Sequence, residues 1–461
     1  MAQDDRTRAT DGRPGLDGFP VLRRDVAGID VGSEQHWVCA PTRDGAGREV
    51  AVFGATTPGV QHLIAWLQDR GVRSVALEST GVYWIVPHEM LESAAFEVVL
   101  ADTRAVGRVP GRPKSDRCDC EWIQRLHGCG LLRGAFRPSE PVCILRTLLR
   151  DKGTLVAERA DWLRRLQKSL DQMNVRVHRA VSDLDGVTGM AILRAIAQGE
   201  RDPHRLAALR HRRCQKSEAE IAAQLTGHWR ADHLFSLQQG LQMYDAITAR
   251  LDAYDQEIQR QLSQMTPEER RDEDAPPPAK ATKAKAMKTR GDDPLRHALY
   301  RVSGVDLTSI DALGVETVSI VLSEYGTDLS RFPTEKHFVA HMRLAPYKPI
   351  SGGKVVKNRK KPGSASARVG AALRMAALTA RRSQTALGAY YRRIAQRCGA
   401  DVAVFATARK LAQYIYRLLR WGQPYVDEGV AAYEQRYQDA RVKRIAASAK
   451  QLGYALVSVT A

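Results

Sequence analysis

The chain has 461 residues, of which 44% are hydrophobic and 26% charged, proportions that are ordinary for a soluble protein with two or three domains. Its 70 Lys and Arg residues exceed its 52 Asp and Glu residues, giving a formal net charge of +18, which is typical of proteins that bind DNA or RNA. No apolar run approaches the roughly 20 residues needed to span a bilayer, and the polar N-terminus lacks the apolar core of a secretion signal. We therefore expect a cytoplasmic protein with no membrane partner.

The N-terminal part of the chain predicts a disordered leader over residues 1–24 and an α/β domain over residues 25–140. Five Val-rich runs bounded by Gly, Asp, Thr or Pro predict strands, namely VAGIDVG, HWVCAPT, VAVFGAT, SVALEST and FEVVLAD. Helices are predicted between them over GVQHLIAWLQDRG and from about Tyr83 to Ser93. Three closely spaced strands, followed by strands that alternate with helices, indicate a mixed central sheet.

Four carboxylates in this domain form a candidate metal site. Asp30 and Glu78 each interrupt an apolar strand, which is costly unless the carboxylate holds a metal or a hydrogen-bonded partner. Asp116 and Asp119 lie three residues apart at a predicted helix start, which places both on one face. Oxygen ligands of this kind bind hard divalent cations, and two such ions about 4 Å apart support phosphoryl transfer.

Each carboxylate also has a structural alternative, either as a helix cap or as the partner of an arginine. The run GIDVGS fits a second class of site as well, because actin-like kinases and ATPases hold phosphate with a similar strand and turn. Zinc is disfavoured, because the spacing of Cys118, Cys120, Cys129 and Cys143 is not that of a zinc ribbon or knuckle. The seven cysteines fit free thiols in a reducing compartment.

The middle of the chain, residues 141–271, has the pattern of long helices. An amphipathic stripe runs through Trp162, Leu166, Leu170, Met173 and Val177. A heptad pattern then follows at Leu237, Tyr244, Leu251 and Ile258, with Leu241, Ile247, Tyr254 and Leu262 between them. This pattern predicts either a coiled coil or a helix that packs within its own chain. Residues 272–293 are charged and rich in Pro, Ala and Lys, which is typical of a linker.

Residues 294–461 predict a mostly helical domain, part of which carries only positively charged residues. From Lys336 to Ala400 there is no Asp or Glu but there are fifteen Lys and Arg residues, which indicates contact with phosphates. Its most basic stretch is PISGGKVVKNRKK, in which Ser351 carries the only hydroxyl group. Gly352 and Gly353 follow this serine and would let the main chain approach a ligand closely. The predicted nucleic-acid contacts are Lys354, Lys357, Arg359, Lys360, Lys361, Arg368 and Arg374.

Six motifs in this order resemble one family. They are GIDVGSEQHWV, ALESTGVYW, KSDRCDCEWIQRLHGCGLLRGAFRP, SGVDLTSIDALG, SEYGTDLSRFPTEKHFVAHMRLAP and SGGKVVKNRKK. Together they resemble the insertion-sequence transposases that have a RuvC-like DEDD domain and a C-terminal serine domain, also known as bridge-RNA-guided recombinases. The resemblance covers most of 26–141 and 294–425.

The resemblance implies an RNase H-like N-terminal domain in which Asp30, Glu78, Asp116 and Asp119 bind Mg²⁺, with Mn²⁺ as a substitute. It further implies that Ser351 attacks DNA to form a covalent phosphoserine linkage, which strand rejoining later reverses. A structured noncoding bridge RNA would pair with donor and target DNA. The family assembles as a dimer of dimers, and its members act on DNA in bacteria, so a nucleoid-associated homo-oligomer is expected.

Three functions remain open from the sequence. Ser351 has no histidine or carboxylate nearby to activate it, so a serine recombinase needs assistance from the acidic tetrad. A RuvC-like structure-specific endonuclease would use the same four acids with water as the nucleophile. A nucleic-acid-binding scaffold without catalysis would need neither the serine nor the four acids. The first differs from the other two in forming a covalent protein–DNA product.

Overall fold

The protein is described by a computed structural model that covers residues 19–79, 81–101, 115–132, 134–274, 293–345, 350–351, 354–355, 365–422 and 429–457. The chain divides into two compact units, of which the first ends at Arg137 and the second begins at Pro138. Among the described helices, none is long and apolar enough to cross a membrane.

The first unit is built on a mixed five-stranded sheet. The strands are β1 (Val26–Val31), β2 (Gln35–Pro41), β3 (Arg48–Gly54), β4 (Ser74–Glu78) and β5 (Glu97–Ala101). They lie in the order β3-β2-β1-β4-β5, where β2 is antiparallel to its two neighbours while β1, β4 and β5 run parallel. The five predicted strands and the mixed sheet are confirmed, and the arrangement is consistent with an RNase H-like domain.

The sheet is covered on two faces by helices α1 (Thr57–Asp69), α2 (Ile85–Ser93) and α3 (Asp116–Gly128). On one face Ile29 and Leu77 pack with Leu63 of α1 and Leu91 of α2 in a buried core. On the opposite face Ala76 packs with Ile123 and Leu126 of α3. Alternate residues of β1 and β4 therefore point to different helices, as the two-residue repeat of a strand requires.

Over its described residues, the second unit is helical apart from one small hairpin. Its helices in chain order are α4 (Glu140–Gln172), α5 (Val177–Ala180), α6 (Val187–Ala197), α7 (Pro203–Ala208), α8 (Glu218–Leu225), α9 (Ala231–Met265), α10 (Pro294–Ser303), α11 (Val315–Tyr325), α12 (Glu335–His341), α13 (Ala365–Ala380), α14 (Ala386–Cys398), α15 (Ala400–Trp421) and α16 (Gly429–Gln451). Short 3-10 turns occur at Glu268–Arg270 and Leu307–Ser309. The hairpin consists of β6 (Ile350–Ser351) and β7 (Lys354–Val355).

The two longest helices of this unit, α4 and α9, lie antiparallel. Gln261 of α9 donates to the carbonyl of Pro141 at one end, and the side chain of Leu166 approaches Gly240 at the other. The heptad residues Leu237, Tyr244, Leu251 and Ile258 are buried. This stripe packs within the chain, as expected for a helix that packs against its own chain. A coiled coil with another chain stays a prediction.

A buried carboxylate joins α11 to α4. The side chain of Glu324 has no exposed surface and accepts two hydrogen bonds from Nη2 of Arg150, at 3.0 and 2.9 Å. Arg146 adds an ion pair at 3.1 Å and donates to the Glu324 carbonyl. A buried charge needs such partners, because its desolvation is otherwise uncompensated.

We predict that Glu324→Gln destabilises the second unit by about 3 kcal/mol, because both arginines lose the charge that compensates them. Urea unfolding followed by circular dichroism measures the change. The control is Glu316→Gln on the same helix, where the side chain is exposed, and its expected effect is within about 0.5 kcal/mol. Equal midpoints for the two variants would contradict the structural role of Glu324.

Candidate functional site

Asp30 and Glu78 lie side by side at the edge of the sheet where parallel strands β1 and β4 end. The register pairs Gly28 with Ala76 and Ile29 with Leu77, so the next pair is Asp30 with Glu78, on strands about 4.8 Å apart. Asp30 shares the face of Gly28, and Glu78 shares the face of Ala76, which packs against α3. The side chains of Asp30 and Glu78 therefore both leave the backbone on the face of the sheet that α3 covers.

Helix α3 runs antiparallel to β1 at very short range. A Cβ at Gly28 would lie 2.5 Å from the Cys120 carbonyl oxygen and 2.2 Å from the Gln124 amide nitrogen. At the beginning of β1, the side chain of Gln124 donates to the carbonyl of Val26. Because Gln124 lies beside the beginning of β1 and Cys120 beside Gly28, the first turn of α3 lies toward Asp30.

That first turn carries the other two carboxylates, Asp116 and Asp119. Ser115 caps the helix by accepting a hydrogen bond from the Cys118 amide at 3.3 Å. Asp119 is buried and Asp116 is exposed. The predicted helix start is confirmed, and the backbone directs all four predicted carboxylates to one edge of the first unit.

The side chains are not gathered into a coordination shell. Over the described parts of the chain, no three His, Cys, Asp or Glu side chains are arranged to hold a metal ion. The donor chemistry of the edge is nevertheless that of a hard cation, since the four groups all offer carboxylate oxygens. The nearby thiols differ, because burial raises the pKa of Cys39 and of Cys120 to about 12. Carboxylate oxygens are hard donors, so the edge suits Mg²⁺ or Mn²⁺ better than a thiolate-bound zinc.

The predicted nucleophile, Ser351, belongs to the second unit. It is the last residue of β6 and pairs with Lys354 of β7, while Ile350 pairs with Val355. This pairing places the backbone of Ser351 beside that of Lys354, the first basic residue after it.

Two of the predicted nucleic-acid contacts also have partners within the second unit. Arg368 of α13 is half-buried and donates to the carbonyl of Leu149 at 3.1 Å. The guanidinium of Arg374 lies 5.2 Å from the ring centre of Phe405, a cation–π distance. The prediction that either residue contacts nucleic acid stays a prediction.

Several other predicted residues lie outside the described residues. They are Gly352, Gly353, Lys357, Arg359, Lys360 and Lys361.

Two family models match the chain. A transposase model, DEDD_Tnp_IS110, matches residues 27–175 and thereby includes Asp30, Glu78, Asp116 and Asp119. A second model, described as Transposase IS116/IS110/IS902 family, matches residues 304–392 and includes Ser351. The chain belongs to the IS110 family of transposases.

The family assigns the chain to the DNA transposases and recombinases, so its substrates are DNA, and the DEDD domain suggests dependence on a divalent metal. The first match continues past Arg137 to the end of α4 and beyond, and the domain bounds that the sequence indicated stay a prediction. Among the curated proteins compared, none matches the chain.

Sequence reasoning missed the residue that seats α3 on the sheet. Gly28 is the small residue that this close approach requires, and a glycine within a strand is a known sign of such an approach. The signal was therefore present in GIDVG, although nothing in the sequence named the helix that would use it.

We predict that Gly28→Ala lowers the free energy of unfolding by about 1–3 kcal/mol and reduces DNA strand cleavage. The added methyl group must push α3 away from β1 and move the carboxylates at its first turn. Thermal unfolding and a strand-cleavage assay measure the two effects. The control is Gly54→Ala, where the nearest atom to the new Cβ is 3.8 Å away. Wild-type behaviour of Gly28→Ala would refute the proposed contact.

Proposed function

We propose that the protein cuts and rejoins DNA through a Ser351 nucleophile assisted by divalent metal held by Asp30, Glu78, Asp116 and Asp119. The observation that carries the proposal is the shared register of Asp30 and Glu78 with the first turn of α3 on the same face. It lies within the matched DEDD transposase region.

The four carboxylates would hold the metal, which we assign as Mg²⁺ with Mn²⁺ as a substitute. When bound, such ions polarise the phosphate oxygens and lower the cost of negative charge in phosphoryl transfer. Carboxylates alone would repel the scissile phosphate, so the tetrad suits DNA only with cations present. The basic residues after Ser351 would hold the DNA backbone in place.

In the proposed step the Ser351 hydroxyl oxygen attacks a backbone phosphorus, and the bond from that phosphorus to a deoxyribose oxygen breaks. The proton that leaves the serine is balanced by the one that the departing DNA oxygen gains. Rejoining reverses the step, because a DNA hydroxyl attacks the phosphoserine and releases the serine. One phosphodiester is exchanged for another, so no external energy source is required.

The guide and the assembly are also proposals that the family resemblance supports. We propose that a structured bridge RNA pairs with donor and target DNA and that the active assembly is a homo-oligomer, a dimer or a dimer of dimers. The +18 net charge supports binding of more than one polyanion.

The competing candidate is an endonuclease that uses water with the same four acids. It shares the geometry of the sheet edge, and it differs in leaving no protein on the DNA. The fate of the cleaved phosphate therefore separates the two functions.

We predict that Ser351→Ala abolishes the covalent protein–DNA adduct, which denaturing gel electrophoresis of labelled DNA detects, while DNA affinity changes less than about twofold. The hydroxyl is the attacking group, whereas the lysines and arginines that bind the backbone remain. Ser366→Ala, which removes a hydroxyl beyond the basic run, is the matched control and should form the adduct normally. Cleavage without an adduct in the wild-type protein would favour the endonuclease, and an adduct in Ser351→Ala would exclude this serine.

A further inference from the structure

A second charged site lies at the opposite end of α3 from the carboxylates. A cavity of about 460 Å³ opens there, between the end of α3, the β2–β3 connection and the segment before β1. Its wall includes Arg23, Arg24, Arg48 and Arg125. Since β1 rises about 3.3 Å per residue, the cavity is separated from Asp30 by most of the length of the sheet.

The wall is strongly basic. Among the described residues that line the cavity, none is acidic. Arg23 is held by Glu97 and Asp25, which leaves little of its charge for a ligand. Arg48 contrasts with it, because its hydrogen bond goes to the neutral amide oxygen of Gln124 at 3.4 Å. An exposed guanidinium without a carboxylate partner retains its affinity for an anion.

The segment that carries Arg23 and Arg24 is fixed to the helix. The amides of Leu22 and Arg23 both donate to the Gly128 carbonyl, at 2.9 and 3.0 Å. A carbonyl at the end of a helix otherwise lacks a partner, so this pairing satisfies α3 and orders residues that the sequence assigned to a leader.

The β2–β3 connection is also held in place. Thr42 accepts from the Gly47 amide through its hydroxyl and donates to the carboxylate of Asp44. Asp44 also accepts from the Ala46 amide, and these hydrogen bonds lower the pKa of Asp44. The one carboxylate within this connection is therefore engaged inside the turn and does not line the cavity.

We propose that this arginine-lined cavity binds a backbone phosphate of a nucleic-acid strand at a point remote from the carboxylate edge. Guanidinium groups from three separate segments converge on it, and their planar donors suit two oxygens of a phosphodiester. The end of α3 itself would disfavour an anion, so the arginines supply the attraction. The site would anchor the strand on the first unit without taking part in its cleavage.

The test measures nucleic-acid binding by the full-length chain with Arg48→Glu. Fluorescence anisotropy is recorded with labelled duplex DNA and with a labelled hairpin RNA, in the absence of divalent metal. We expect about tenfold weaker binding and a salt dependence smaller by about one phosphate contact. Loss for only one of the two probes identifies which strand occupies the cavity, and loss for both indicates general phosphate binding.

The matched control is Arg43→Glu, which makes the same charge change in the connection that precedes Arg48. Arg43 is exposed, pairs with Asp69 at 2.6 Å and is not part of the wall, so its variant should bind within about twofold of the wild type. Arg48→Gln removes the charge without adding an acid and should show a smaller loss in the same direction, with thermal unfolding confirming the fold. Equal affinities of Arg48→Glu and Arg43→Glu for both probes would overturn the proposal.

The outcome is independent of the proposed serine chemistry. If Ser351→Ala fails to remove the adduct while Arg48→Glu weakens binding, the cavity stands and the serine assignment falls. If Arg48→Glu binds like Arg43→Glu while Ser351→Ala removes the adduct, only the cavity assignment falls.

Discussion

The close approach of α3 to β1 at Gly28 organises the first unit. At that point the helix backbone lies where any side chain on the strand would stand, so the position of α3 along β1 is set by backbone contact rather than by a flexible side chain. Because the helix and the strand run antiparallel, one end of α3 meets Asp30 and the other meets the segment that enters β1. A single packing contact thus positions both the acidic first turn of α3 and the arginines near its end.

The two ends of α3 have opposite chemistry, which suits a protein that must both hold and cut a polyanion. Carboxylates at one edge would repel a phosphate unless cations lie between them, whereas arginines at the other end attract it. Separating the two prevents the arginines from neutralising the tetrad through direct ion pairs. In the second unit the run that follows Ser351 is also rich in Lys and Arg, so positive charge is distributed along the chain while the acidic cluster stays local.

The sequence was sufficient for features that depend on local pattern. The Val-rich runs predicted the strands, because burial on both faces of a parallel strand leaves a continuous apolar signature. A helix start was predicted at Asp116 and Asp119, which lie three residues apart, and α3 begins there. Features that depend on contacts between distant segments were not predictable. Nothing in the sequence shows that Arg23, Arg48 and Arg125 line one cavity, or that Glu324 would be buried between two arginines of α4.

The heptad stripe of α9 shows a different limit. A repeat of seven specifies that one face of the helix is buried, but it does not specify the partner. Here the described partner is α4 of the same chain. The pairing of β6 with β7 shows a similar limit, because no pattern around Ser351 predicted a strand there.

The most direct test of the account is Mn²⁺ binding to the full-length chain, measured by electron paramagnetic resonance of the free ion. The account predicts one or two bound ions per chain, with affinity reduced at least about tenfold by Asp30→Asn or by Glu78→Gln, since each removes one charged ligand. Glu121→Gln is the matched control, because Glu121 lies on the same helix and pairs with Arg117, and it should leave binding unchanged. Equal Mn²⁺ affinity in the wild type and all three variants would contradict a metal site at this edge.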